Sequence, residues 1–187
     1  MRIFRGGPLA KAGHNHVIAS HALHGTLYVP SDPARVTFQV DVPVAELTVD
    51  EAALREQEHS DEFPPEVPDS AKQGTRKNML GPALLDAERY PDVLLEAERL
   101  EPVASGAAGD WLAHVRVTVR DCVSSVVVPA HSASGDGSVV VSGEFPLKQT
   151  DLGLTPFSAL LGALQVVDEM QVRFRIVAHL SPTRATH

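Results

Sequence analysis

Four of the nine histidines in this 187-residue chain, His14, His16, His21 and His24, are crowded near its start. In an extended backbone, residues two apart point to the same side, so His14 and His16 would aim two imidazoles together. Neutral imidazole suits zinc, copper, nickel or haem iron, and the pair is the candidate site for a divalent metal or haem. Two ligands do not complete a site, and His114, His131, His179, Asp151 and Glu169 are the available further donors. The competing reading makes these residues partly exposed strand histidines bonded to their neighbours. Catalysis finds less support. Ser124 and Ser125 lie in a strand pattern with no G-x-S-x-G elbow, and the chain has no P-loop, G-x-G-x-x-G or H-E-x-x-H motif. The expectation is therefore a protein that is not an enzyme.

A chain of this length can bury a core without covalent staples. The lone Cys122 allows no internal disulfide and reads as a small buried hydrophobe. A formal charge of −8 disfavours nucleic acid and anionic membrane surfaces as partners. No run approaches the roughly 20 apolar residues of a membrane span, and the first residues lack the apolar core of a signal peptide. The expected location is cytoplasmic, or periplasmic if the sequence is a mature form.

Period-two alternation is the main structural signal. Val36, Phe38, Val40 and Val42 alternate with polar residues across 35–43. Trp111, Ala113, Val115, Val117 and Val119 do the same, as do Met170, Val172, Phe174, Ile176, Ala178 and Leu180. Weaker alternation covers 17–29, 92–100, 122–129 and 138–148, and a short N-terminal strand brings the total to about eight. Arg120-Asp121 and the segment Ser132 to Gly137 are links short enough for antiparallel neighbours and too short for helical crossovers. The fold class is all-β, an antiparallel barrel with two or three short helices. The helices are expected from Ser70 to a stop at Gly81-Pro82, over Glu51 to Glu58, and after Thr155-Pro156, where Phe157, Leu160, Leu161 and Leu164 form an apolar stripe. Residues 59–70, rich in proline and acid, read as a mobile surface loop inside a single domain spanning 1–187.

Several segments, taken in order, resemble the YceI family of polyisoprenoid-binding proteins. They are Leu23-His24-Gly25-Thr26-Leu27, Asp32-Pro33-Ala34, Val44-Ala45-Glu46-Leu47-Thr48-Val49-Asp50, Asn78-Met79-Leu80, Asp86-Ala87-Glu88-Arg89-Tyr90-Pro91 and Lys148-Gln149-Thr150-Asp151-Leu152-Gly153. The resemblance spans about residues 13–180 and implies a lipocalin-like barrel with an internal apolar tunnel. It further implies non-covalent binding of a long apolar molecule, such as an isoprenoid, a quinone or a related lipid.

Under that reading the lining falls to Phe38, Val40, Leu95, Trp111, Val115, Val117, Val141, Phe145, Met170, Val172, Phe174 and Ile176. The alternative is that these side chains fill a solid core. Lys72, Arg76 and Lys77 would meet a pyrophosphate or quinone head group at the barrel mouth, or else form a solvated helix face. The expected partner is an apolar small molecule or lipid, and a homodimer is left open.

Overall fold

The computed structural model describes residues 1–32, 35–104, 107–179 and 181. Pro33, Ala34 and Leu180, all named above, lie outside the described residues. The elements in chain order are β1 (Arg2–Ile3), β2 (Arg5–Gly6), β3 (His16–Ala19), β4 (His24–Tyr28), β5 (Thr37–Pro43), β6 (Thr48–Val49), α1 (Ala52–Glu56), α2 (Asp69–Leu80), β7 (Asp92–Pro102), β8 (Asp110–Val119), β9 (Cys122–Gly135), β10 (Ser138–Lys148), β11 (Ser158–Ala159), β12 (Leu164–Val166) and β13 (Glu169–His179). Ten strands form one antiparallel sheet in the order β4-β5-β7-β8-β9-β10-β13-β1-β3-β6, and β11-β12-β2 form a small second sheet.

The large sheet is strongly curled into a half-barrel. Its connectivity explains the curl. β4 is an edge strand and β3 lies next to the opposite edge, yet only residues 20–23 join them, a link that spans at most about 18 Å. The two sides of the sheet must therefore approach one another. The wall is also broken part-way round. β9 and β10 pair only from Ser138↔Gly135 to Ser142↔His131, and Pro129 and Pro146, which carry no N–H to continue a ladder, lie just beyond.

Alternation sets the faces. Trp111, Ala113, Val115, Val117 and Val119 share one face of β8, and Ala113, Val115, Val117 and Val119 are buried with Leu152, Leu154 and Met170. A second cluster, Ile18, Val44, Leu47 and Met79, packs the helices against one end, and Met1, Ile3, Leu84, Leu85 and Val93 touch both clusters.

Several expectations need correction. The single strand at 17–29 is two strands, β3 and β4, which sit far apart in the sheet. The link at 132–137 is shorter than expected: β9 continues to Gly135, and Asp136-Gly137, both with positive φ, make the turn. The segment after Thr155-Pro156 is not a helix. Its backbone pairs as β11 and β12 around a 3-10 turn at Leu160–Gly162, because Leu160, Leu161 and Gly162 all take positive φ. The stretch 59–68 contains no helix or strand, but it is pinned by two buried side chains, Phe63 and Val67. Phe63 stacks edge-on against Phe4 and lies under the guanidinium of Arg55.

Candidate functional site

The strand registers place the twelve candidate lining residues on one face. Val40 pairs with Leu95 and Leu95 with Val117; Val141 pairs with Ile176, Phe145 with Val172 and Leu147 with Met170. Burial along this face is graded. Val115, Val117 and Met170 are buried in the larger core cluster, with Phe38, Leu95 and Val172 packed against it. Trp111, Val141, Phe145, Phe174 and Ile176 are only half-buried. The inner face is thus filled around Val115, Val117 and Met170 and half-exposed from Phe174 to Trp111, with Val139 beyond Val141 buried again. Phe145 and Phe174 meet edge-to-face with ring centroids 6.4 Å apart. The Trp111 indole donates to Ser132 Oγ at 2.9 Å, which fixes the ring in the half-exposed stretch.

A cavity of about 380 Å³ opens where the β9–β10 ladder stops, lined by Val103, Asp110, Trp111, Leu112, Pro129, Ala130, His131, Ser142, Gly143 and Glu144. It is an open cleft: Asp110, Leu112, Pro129, His131, Ser142 and Glu144 in this lining face outward, opposite in parity to Trp111, Ala130 and Gly143. Sequence reasoning named only Trp111 among these residues as a ligand contact. The two prolines that interrupt the ladder were the available signal. At its rim His131 Nδ1 lies 2.7 Å from Asp110 Oδ1, and the hydrogen bond from His131 holds that carboxyl below its usual range.

The histidine segment is tied into a buried polar network. His16 Nδ1 is 2.6 Å from Asp50 Oδ2, and the Val17 amide donates to Asp50 Oδ1 at 2.8 Å. Arg55 donates to the same Oδ1, to the Asn15 carbonyl and, through Nε, to the Pro64 carbonyl. Burial raises the Asp50 carboxyl, but the hydrogen bonds from His16, Val17 and Arg55 outweigh it and leave the group below its usual range. Because Asp50 is an acceptor, His16 Nδ1 must carry the proton. Nε2 is then an acceptor, facing the Thr75 hydroxyl at 3.0 Å.

Thr75, His16 and Asp50 thus have the connectivity of a nucleophile, base and orienting acid. Arg55 competes for the acid, however, and Thr75 lines neither the cleft at β9–β10 nor the one along Gly7 to Ala12. The Asp50–His16 bond is also of the kind that orients metal-ligating imidazoles. His14 lies beside His16, ring centroids 6.1 Å apart, but His16 uses both nitrogens and a metal would have to displace Thr75. Among the described residues no group of three or more His, Cys, Asp or Glu side chains is placed to hold an ion.

Lys72, Arg76 and Lys77 all lie on α2. Arg76 donates to the Leu47 and Ala45 carbonyls at 2.6 and 2.7 Å, Lys72 is 3.8 Å from Asp69, and Lys77 is exposed. Arg76 thereby braces the 3-10 turn at Val44–Glu46.

A curled antiparallel sheet with helices across one end and an apolar inner face defines a lipocalin-like binding architecture. The model of the YceI-like domain matches residues 11–178, and the chain belongs to that family. Similar solved structures include BcnA of Burkholderia cenocepacia, at 16% identity and TM-score 0.62 with 95% of each chain covered. They also include the YceI protein of Campylobacter jejuni, at 11% identity and TM-score 0.61, covering 88% of this chain and 85% of that one. A mutant of the latter, with the same identity, coverage and TM-score, carries a monobromobimane guest. No curated protein matches the sequence.

Proposed function

We propose that this chain is a non-catalytic carrier that holds a long apolar molecule, an isoprenoid, a quinone or a related lipid, against the inner face of the half-barrel. Membership of the YceI-like family supports a protein of binding or carrier type. The observation that carries the finer reading is the stretch of the inner face where Trp111, Val141, Phe145, Phe174 and Ile176 keep apolar surface in contact with water. Covering that surface with an alkyl chain gains about 0.8 kcal/mol for each buried methylene, before ordering costs. Among the described residues no helix is long and apolar enough to cross a membrane.

Trp111 is the only tryptophan, so its fluorescence reports on this stretch of the inner face alone. Titration with a short-chain quinone is expected to quench it saturably, and native mass spectrometry of freshly purified protein is expected to show a bound lipid mass. A folded protein with unquenched Trp111 and a clean organic extract would overturn the carrier reading.

A further inference from the structure

The segment expected to be a helix instead exposes its apolar stripe. Leu161 is fully exposed and Leu160 is 69% exposed, and both have positive φ, a conformation that bulky L residues rarely adopt. Phe157 is exposed beside them, since Val166 donates to its carbonyl across the small sheet. The same sheet brings in the N-terminal segment: β12 pairs with β2, and the Leu9 amide donates to the Ala163 carbonyl at 2.8 Å. Exposed Leu9 and Lys11 are thus on the segment bonded to Ala163, just after the Leu160–Leu161 turn, next to an open cleft of about 610 Å³ lined by Gly7 to Ala12.

Charge is distributed around this projection in a way the whole-chain total conceals. From Leu152 to Val167 the sequence carries no charged side chain, and from Met1 to Ser31 it carries no carboxylate, although the chain totals −8. At physiological ionic strength charges further than about 8 Å are largely screened, so the local balance governs what can approach. The turn itself carries no charge, Lys11 is an exposed cation on the segment bonded to it, and the nearest acidic stretch, Asp61 to Glu66, meets that segment further back, at Phe4 and Asn15. Arg5, the other nearby cation, is partly used by the Gly13 carbonyl.

We propose that the Leu160–Leu161 turn, flanked by Phe157, Leu9 and Lys11, is a docking element that inserts into a lipid bilayer surface. A projecting pair of leucines, in a stretch from Leu152 to Val167 that carries no charged side chain, fits the interface of a bilayer, where apolar tips sink to the acyl boundary and cations meet phosphates. The inference rests on the carrier reading for its purpose: a ligand soluble only in membranes must be collected from one and returned to one.

The test is flotation of purified protein with phosphatidylcholine vesicles and with vesicles containing phosphatidylglycerol, for wild type, Leu161→Asp and Lys11→Glu. Leu161 packs against nothing, and aspartate tolerates positive φ better than leucine, so Leu161→Asp should fold at least as well as wild type. Wild type is expected to float with both vesicles. Leu161→Asp should bind at least about tenfold more weakly, the equivalent of losing one buried leucine. Lys11→Glu should weaken binding to the anionic vesicles alone, and only at low salt. Quinone quenching of Trp111 in solution should be the same in all three proteins, which separates this inference from the carrier reading. Wild type remaining with the soluble fraction, or Leu161→Asp floating as well as wild type, would overturn it. So would a wild type that self-associates through this turn and ignores vesicles, since the leucines would then be a contact between copies.

Discussion

Arg55 donates through Nη1 to Oδ1 of Asp50 at 2.6 Å, and neither side chain reaches solvent. The pair locks together four parts of the chain, since Asp50 also holds His16 and the Val17 amide while Arg55 holds the Asn15 and Pro64 carbonyls. Removing one partner would leave the other as an uncompensated buried charge, at a cost of about 3–5 kcal/mol. Asp50→Asn and Arg55→Met should therefore each lower the denaturation midpoint strongly. The double variant should be less damaged than the sum of the two, and full additivity in a double-mutant cycle would show that the pair is not coupled.

The same carboxylate gives a pH dependence whose sign is fixed. Its native pKa is lowered, burial notwithstanding, by the hydrogen bonds of His16, Val17 and Arg55. The unfolded chain therefore binds this proton first. The stabilisation is complete above the ordinary carboxylate value of about 3.9 and is lost as pH falls through the lower native value. Chemical denaturation followed from pH 6 to 2 should show a steeper acid limb for wild type than for Asp50→Asn, and parallel limbs would assign acid sensitivity to other carboxylates.

Much of this was legible because it depends on short-range periodicity. The faces of β5, β8, β10 and β13 follow from alternation, and the end of α2 from its Gly-Pro stop, whereas the expected capping box does not form: Pro68 precedes the first turn, which starts at Asp69 and has no side-chain cap. What stayed hidden depends on partners distant in sequence. Nothing local to His16 announces Asp50, 34 residues away, or Thr75, 59 residues away. The Phe157, Leu160, Leu161, Leu164 stripe has helical spacing, but pairing of β12 with β2, far away in the chain, overrode it.

Gly25 tests how the barrel edge is built. It lies opposite Val40 in the β4–β5 pair, and a Cβ at this position would overlap the Gln39 carbonyl and sit 2.8 Å from the Val40 Cα. Backbone atoms cannot swing aside as a flexible side chain would, so Gly25→Val should cost about 1–3 kcal/mol. Hydrogen exchange is expected to show β4 amides losing protection while β8 and β9 keep theirs. Uniform loss across the sheet would mean that the edge strand is not an independent unit.

Zinc addition separates the two readings of the N-terminal histidines. With Asp50 on Nδ1 and Thr75 on Nε2, His16 has no free lone pair. His16→Ala should therefore lower the melting temperature to the same extent with or without zinc, and His14→Ala should leave it near wild type. A zinc-dependent rise in wild type that either substitution abolishes, and that fades as pH drops through about 6.5, would establish a metal site instead.

The graded burial of the inner face makes one charge lethal to the fold and another harmful only to binding. Val117 is 8% exposed and surrounded by the larger core cluster, with Leu95 opposite on β7 and Ser124 opposite on β9. A carboxylate there has no water and no partner, so Val117→Asp should fail to fold or should lose several kcal/mol. Phe174 lies on the same face but further along, half-buried beside Phe145, where a carboxylate can reach solvent. Phe174→Asp should keep a wild-type circular dichroism spectrum with a smaller stability loss. It should nevertheless lose quinone quenching of Trp111 by at least about tenfold, because the ligand would have to desolvate the new charge. Retained quenching in a folded Phe174→Asp would place the ligand elsewhere, and a stable, folded Val117→Asp would show that water already reaches the interior around Val117.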